Sequence, residues 1–328
     1  MPVSACKFKV KHVLVTGAAG FLGQHVCRYL RQQGVLVRAM LRRPIEGPWD
    51  EAVIADLSRP ESFPVRMFDD VDSVFHLAAI AHHRATEEDY QHNNVDSCVN
   101  IAQAALAAGV TRLIYVSSSK AVAEPYDRCV DENFTDMPTD AYGVSKRRGE
   151  EVLLAMPGLT HLVIARPPLI YGAGVRDNLA MMLRWIDKCL FPPLPDLPAP
   201  RSMVAAADVA RALLLLAQEP KAHQKIYFVT DNQVYQMAAV ERAMRTALGR
   251  KLPVWHVPFF CFWCVGKTGD LFRKLYVRFP IHSGLVHKLL GPAQYSSEKL
   301  QRELGWRPET DFYRELPAIV AEYRRLKQ

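Results

Sequence analysis

No stretch of this sequence is apolar for long enough to cross a bilayer. The most apolar late segment, Val254–Val265, covers 12 positions and includes His256 and Pro258, whereas a spanning helix needs about 20. It is expected to be buried core, with contact at a membrane surface as the alternative. Met1–Lys11 has no apolar run of the kind a secretory signal carries. Blocks of like charge and nucleic-acid-binding motifs are missing, so no nucleic acid is expected as a partner. Cysteine is scattered: Cys6, Cys27, Cys98, Cys129, Cys189, Cys261 and Cys264. An odd, dispersed set argues against a disulfide framework and for reduced thiols in a cytoplasmic protein. Cys261 and Cys264 have the spacing of a metal or redox pair, but no second Cys/His pair lies nearby and their flanks are apolar. They are expected to be buried thiols. Internal repeats, low-complexity tails and a G-x-S-x-G elbow are absent, the last arguing against a serine hydrolase.

What is present is a chain of 328 residues, enough for one large domain or two fused layers with an ample core. The net charge of +7, with 34 acidic residues mixed in, suits an anionic ligand such as a phosphorylated cofactor or sugar nucleotide. It suits a merely basic surface equally. Val10–Thr16 is a β-branched run fit for a buried parallel strand. It leads into Gly17-Ala18-Ala19-Gly20-Phe21-Leu22-Gly23, a helical stretch through Leu30, and a second strand, Val35–Leu41. This is the first β-α-β of a dinucleotide fold. Glycines allow close backbone approach to a pyrophosphate, and the helix N-terminus supplies amides and positive potential. Gly17, Gly20, Phe21, Leu22 and Gly23 are therefore candidate cofactor contacts.

The end of the second strand distinguishes cofactors: an acid there holds the ribose of NAD, whereas arginine accommodates the phosphate of NADP. Arg42 and Arg43 stand there, with no acid. NADP(H) is favoured and NAD(H) is the alternative; two solvated loop arginines are the other reading. Val53–Leu57 reads as a third strand, with Asp56 either at the adenine edge or capping the next helix. Val71–Ala79 is a fourth strand, and its final Leu77-Ala78-Ala79 would let backbone run close to a cofactor. His82 and His83 read as polar loop residues. Glu87–Ala108 is expected to be one long helix carrying Asn93 and Asn94.

Val110–Ser117, a fifth strand, runs directly into Ser117-Ser118-Ser119. Ligands bind at the carboxyl ends of parallel strands, although a serine triplet can also cap a helix or fill a turn. Tyr142 and Lys146, four positions apart, would share one face of a helix. An ammonium favours the ionised form of a nearby phenol, and a phenol activated in this way can pass a proton to or from a carbonyl or alcohol. A sixth strand, Leu162–Ile164, ends at Arg166-Pro167-Pro168-Leu169. After Tyr171 the pattern changes. Phe191–Pro200 reads as a proline-rich surface loop, followed by a helix at Asp208–Gln218, a strand at Lys225–Thr230 and a helix at Met237–Leu248. Ser296–Leu304 and Tyr313–Leu326 read as terminal helices. The fold class expected is α/β, a Rossmann-type doubly wound parallel sheet with a smaller C-terminal α/β region. Residues 1–171 would bind the dinucleotide and residues 172–328 mainly the substrate.

In order, Gly17/Gly20/Gly23, Asp56-Leu57, His76-Leu77-Ala78-Ala79, Asn94-Val95, the serine triplet, Tyr142/Lys146 and Arg166-Pro167 form a pattern that covers nearly the whole chain. It resembles the extended short-chain dehydrogenases/reductases, the group of nucleotide-sugar epimerases, dehydratases and 4-keto reductases. The resemblance implies that Ser119 bonds the reacting sugar oxygen and that Tyr142 is the acid or base. Lys146 would tune the phenol and bind nicotinamide ribose, with Asn94 supporting it through water. Asp56, Leu57, Leu77, Ala78, Ala79 and Ser117 would line the cofactor. Asn178, Leu179 and Arg201 would grip the nucleotide diphosphate. Lys120-Ala121 replaces the acidic pair of the dehydratases, and Leu169 and Gly291–Gln294 depart from UDP-galactose epimerases. The pattern is most similar to bacterial reductases of UDP-4-keto-6-deoxy-N-acetylhexosamines. That implies a UDP-sugar substrate, a role in surface polysaccharide synthesis and a homodimer formed by the helices holding Asn100 and Tyr142. Ala123-Glu124 replaces the Tyr-Gly that often follows the triplet, so this loop is expected to have its own shape.

Overall fold

The structure is a computed structural model that describes residues 7–81, 85–124, 128–274, 283, 286 and 290–327. Its strands are β1 (His12–Thr16), β2 (Leu36–Leu41), β3 (Glu51–Ile54), β4 (Ser73–His76), β5 (Arg112–Val116), β6 (His161–Arg166), β7 (Leu169–Tyr171), β8 (Met203–Ala205) and β9 (Lys225–Phe228). Seven of them form one sheet in the order β3-β2-β1-β4-β5-β6-β9, and every neighbouring pair is parallel. The architecture is the expected α/β, Rossmann-like one. β7 and β8 pair separately; neither was read from the sequence as a strand, because each has three residues and no usable period.

The alternation along β1 divides the core. Val13 and Val15 face a cluster containing Val26, Leu30, Val209 and Leu213, which come from α1 (Phe21–Gln32) and from the Ala206–Gln218 helix. Leu14 faces the opposite cluster, with Ile101, Leu113 and Leu153. Successive strand side chains point to opposite faces, so a strand buried on both sides must be apolar throughout, as His12–Thr16 nearly is. The direction of strand addition reverses between β1 and β4. Crevices at such switch points bind ligands.

Where one long helix was expected over Glu87–Ala108, the chain forms α2 (Glu87–Tyr90), a π turn (Gln91–Asp96) and α3 (Ser97–Ala107). A π turn widens the helix by one residue per turn and often marks a functional position. Here it carries Asn94, whose side chain accepts from Ile80 N–H (2.8 Å) and donates to Ile80 C=O (3.0 Å) and Ser145 Oγ (2.9 Å). α4 (Ala141–Leu154) follows, started by Asp140, which accepts from Gly143 N–H at 3.1 Å. The next helices are α5 (Asp177–Asp187), α6 (Ala206–Gln218), α7 (Met237–Leu248) and α8 (Phe259–Lys274); Glu298–Leu304 and Phe312–Lys327 are also helical.

Two expectations are overturned. Phe191–Pro200 lacks regular structure, but Phe191 and Leu194 are buried against α5 and α7; its prolines limit backbone polarity rather than marking exposure. Val254–Val265 is not core. Val254, Trp255, Phe259, Phe260, Trp263 and Val265 are exposed, and so is Cys261, with Cys264 only partly covered. Among the positions of α8 whose burial is described, Gly266 and Gly269 are the buried ones. Phe262 packs partly against the core, whereas Phe259, Phe260 and Trp263 are left exposed. His82 and His83 lie outside the described residues. Among the described residues no helix is long and apolar enough to cross a membrane.

Candidate active site

The loop after β1 is shaped by the absence of side chains. Gly17 has φ +71°, and a Cβ there would stand 2.8 Å from Ala78 N. A Cβ at Gly23 would stand 2.1 Å from Gly17 O. The turn and the segment after β4 are thus in backbone contact, as the small Ala78 suggested. Gly20 is the N-cap of α1 and offers no side-chain cap, so the first amides of this helix remain for an anion. These features fit the pyrophosphate of a dinucleotide. Phe21 and Leu22 open the helix and are half-buried. Thr16 ties β1 to β4: its hydroxyl accepts from Ala78 N–H (3.2 Å) and bonds His76 Nδ1 (2.8 Å). Burial, then the nearby Lys146 charge, push His76 down to about 3. It is therefore a neutral strut at working pH.

Lys146 is the chemical centre of α4. It is 1% exposed; Nζ donates to Val116 C=O at 2.9 Å and lies 4.1 Å from the centroid of the Tyr115 ring. Burial lowers it to about 8, opposed by Cys98 and Glu150. Tyr115 is driven well above the ordinary tyrosine range, first by burial, and stays a neutral π face. Sequence reading passed over Tyr115; the signal was an aromatic at the end of the strand that leads to the serines. Tyr142 stands one turn before Lys146 on the same helix, half-buried, 6.2 Å ring to ring from Tyr90. Asn94 reaches α4 directly through Ser145 Oγ.

Ser119 is buried, and its N–H donates to Pro167 C=O at 2.9 Å. Ser117 Oγ is buried without a hydrogen-bond partner among the described residues, a group left for a ligand. Arg201 is held by backbone pairing with Tyr235 and Ala293, and Glu124 and Tyr295 act on its charge. Lys120 bridges Glu124 (3.2 Å) and Asp140 (3.5 Å). The structure thus gathers Ser119, Glu124, Arg201 and Tyr295, of which Glu124 and Tyr295 were not chosen from sequence. Asn178 is exposed at the start of α5, whereas the Leu179 side chain lies in the core, leaving its backbone amide for any ligand. Arg42 is exposed beyond β2 and acts electrostatically on Asp56, which is lowered mainly by accepting from Ser58 N–H and Oγ. Leu57 C=O accepts from Asn100 at 2.8 Å. A cavity of about 430 Å³ lined by Leu197, Phe259, Trp263, Val286 and Leu290 contains none of these residues. Among the described residues no group of His, Cys, Asp or Glu is arranged to hold a metal ion.

Comparison with known proteins bears on this arrangement directly: residues 13–230 match the model described as "NAD dependent epimerase/dehydratase family". The chain belongs to the NAD dependent epimerase/dehydratase family. This family member is 28% identical over 316 residues to the UDP-glucose 4-epimerase of Vibrio cholerae, covering 91% of each chain. It is 27% identical over 307 residues to a 4-hydroxy-2-methyl-3-oxo-4-farnesyl-3,4-dihydroquinoline-1-oxide ketoreductase of Stigmatella aurantiaca, covering 89% of this chain and 90% of that one. The Bordetella bronchiseptica enzyme WbmG, solved in complex with NAD and UDP, superposes with a TM-score of 0.76 at 19% identity, over 97% of this chain and 96% of that one. Both an epimerase and a ketoreductase are thus among this chain's relatives.

Proposed function

We propose that this enzyme reduces the C4 ketone of a UDP-linked 4-keto-6-deoxy-N-acetylhexosamine, for a bacterial surface polysaccharide. The observation that carries the reading is the buried, pinned Lys146 one turn from Tyr142, on the helix beside the serine-bearing end of β5. A nicotinamide cofactor, when bound, supplies the hydride. Tyr142 gives the proton to the ketone oxygen, Ser119 holds that oxygen, and the Lys146 charge keeps the phenolic proton labile. Gly17, Gly20 and Gly23 admit the pyrophosphate, and Ser117 and the backbone at Leu77–Ala79 flank it. Arg201, with Asn178 and the Leu179 amide, would take the substrate diphosphate; arginine's fork matches phosphate oxygens. Residues 1–171 would then serve the cofactor, and residues 172–328 mainly the sugar nucleotide. A homodimer through α3 and α4 belongs to the same reading.

Exposed Arg42 at the end of β2 supports NADP(H) over NAD(H). A diffusible reductant in turn suits a reductase. The second reading, a UDP-sugar 4-epimerase with tightly held NAD, is favoured by the Vibrio cholerae relative. Incubation with UDP-N-acetylglucosamine, a 4,6-dehydratase and NADPH or NADH, followed by NMR of the product, tests both. Stoichiometric NADPH oxidation with a 4-hydroxy product is expected. Co-purified NAD, no net oxidation and an epimerised sugar would establish the epimerase instead.

A further inference from the structure

Phe260 and Trp263 stand about one turn apart on α8, 66% and 47% exposed, and stack with centroids 5.9 Å apart and planes 22° off parallel. Trp255 and Phe259, beside them in sequence, are exposed as well. Large apolar side chains gathered in water mark a contact surface. Lys267 follows Trp263 by four positions and is exposed, which puts it on the same stripe of the helix. The apolar surface also continues inward. Phe259 and Trp263, with Lys267, Leu197, Val286 and Leu290, line the cavity of about 430 Å³.

Charge distinguishes the occupants of this face. Residues 250–290 hold seven lysines and arginines against a single acid, Asp270, and so carry +6 of the chain's net +7. Asp270 is spent on the protein's own backbone, accepting from Ser283 N–H at 3.2 Å. A second copy of the chain would set this positive region against itself, because a two-fold contact pairs like surface with like. An anionic surface is matched instead. Aromatic side chains favour the boundary between headgroups and acyl chains, lysines reach back from it to the phosphates, and clustered basic residues are drawn to anionic lipid. α8 has 16 residues, too few to span a bilayer and enough to lie flat on one. We propose that α8 docks on an anionic phospholipid bilayer, with Phe260 and Trp263 in the headgroup–acyl boundary and Lys267 at the level of the phosphates. None of these residues belongs to the cofactor or substrate site, so this surface stands or falls apart from the reaction assigned above.

The test is co-sedimentation of the full chain with vesicles, of phosphatidylcholine alone and of an equimolar mixture with phosphatidylglycerol. Binding to the mixed vesicles is expected to be at least about tenfold tighter than to phosphatidylcholine and to weaken as salt is raised. Phe260→Ser/Trp263→Ser should lose about tenfold or more in affinity with Tm unchanged, since both side chains are exposed. Lys267→Glu should lose about tenfold on the mixed vesicles and little on phosphatidylcholine. Failure of the wild type to bind the mixed vesicles overturns the proposal. Binding that the serine variant leaves intact also overturns it, because a basic surface alone would then account for the attraction. Sedimentation velocity without lipid examines the rival occupant: a dimer that the serine variant turns into a monomer would assign this face to a second copy of the chain and overturn the bilayer.

Discussion

Lys146 and Val116 are joined by one hydrogen bond of 2.9 Å from ammonium to backbone carbonyl, at the last residue of β5. That bond fixes a charge inside the sheet–helix interface, where almost no water reaches it. The surroundings tolerate the charge through the carbonyl and the Tyr115 ring, and they shift it rather than neutralise it.

Removing that charge should separate stability from activity. Lys146 titrates at about 8 in the fold, against roughly 10.4 for an ordinary lysine. Between those values the unfolded chain binds a proton that the folded chain has released, so stability rises with pH across that window. Below it the buried charge is a cost. Lys146→Met is expected to abolish turnover while gaining about 1–3 kcal/mol of stability at pH 7, with the gain shrinking by pH 10. Chemical denaturation at the two pH values measures this. A large loss of stability at pH 7 would refute it.

Tyr142→Phe should cut turnover by about two or more orders of magnitude, the scale of a lost general acid. Cofactor affinity, followed by nicotinamide fluorescence, should stay within about twofold. Near-normal turnover would remove the mechanism.

The ion pair of Arg166 and Glu150 is a structural element, with each partner 1% exposed and two hydrogen bonds between them. Arg166→Met would strand the carboxylate and is expected to cost about 3–5 kcal/mol. Adding Glu150→Leu should recover part of that, because the stranded charge is then gone. Urea unfolding of the single and double variants checks the order.

Asp231 accepts from the hydroxyls of Tyr171 (2.7 Å) and Tyr235 (2.6 Å), yet burial outweighs them and raises it to about 6. The folded state therefore holds a proton between pH 4 and 6 that the unfolded state has lost, and this group's contribution to stability falls as pH rises through that range. Relative to wild type, Asp231→Asn should improve by about 2–3 kcal/mol between pH 4 and pH 7. A pH-independent difference would contradict the assignment.

Gly23→Ala places a methyl group 2.1 Å from Gly17 O and 2.7 Å from Ala18 Cα. Backbone cannot yield as a flexible side chain can. Dinucleotide affinity should fall at least tenfold by calorimetry, with the far-sheet core unaffected. Unchanged binding would mean that the loop after β1 is not the cofactor cradle.

The sheet was legible because strands buried on both faces cannot hide their composition, and Gly17, Gly20 and Gly23 announce a turn that only glycine can make. Lys146 was legible by its spacing from Tyr142. Its depth was not, since that depends on Tyr115 and Val116 arriving from β5. Tyr295 was invisible for the same reason: 93 positions separate it from Ser202, whose hydroxyl bonds its backbone, and no local pattern marks either as the other's neighbour. Val254–Val265 misled because a mostly apolar run reads as core, and only the fold shows that Phe259, Phe260 and Trp263 stay exposed while Phe262 and Gly266 are covered.

Asn94 spends its amide on the peptide of Ile80 and the hydroxyl of Ser145, and this latches the stretch that trails β4 to the first turns of α4. Tyr142 and that stretch are therefore mechanically coupled. A ligand that displaced the backbone near Ile80 would tug on the helix bearing the phenol, and occupancy of one half of the crevice would register in the other without any domain having to swing.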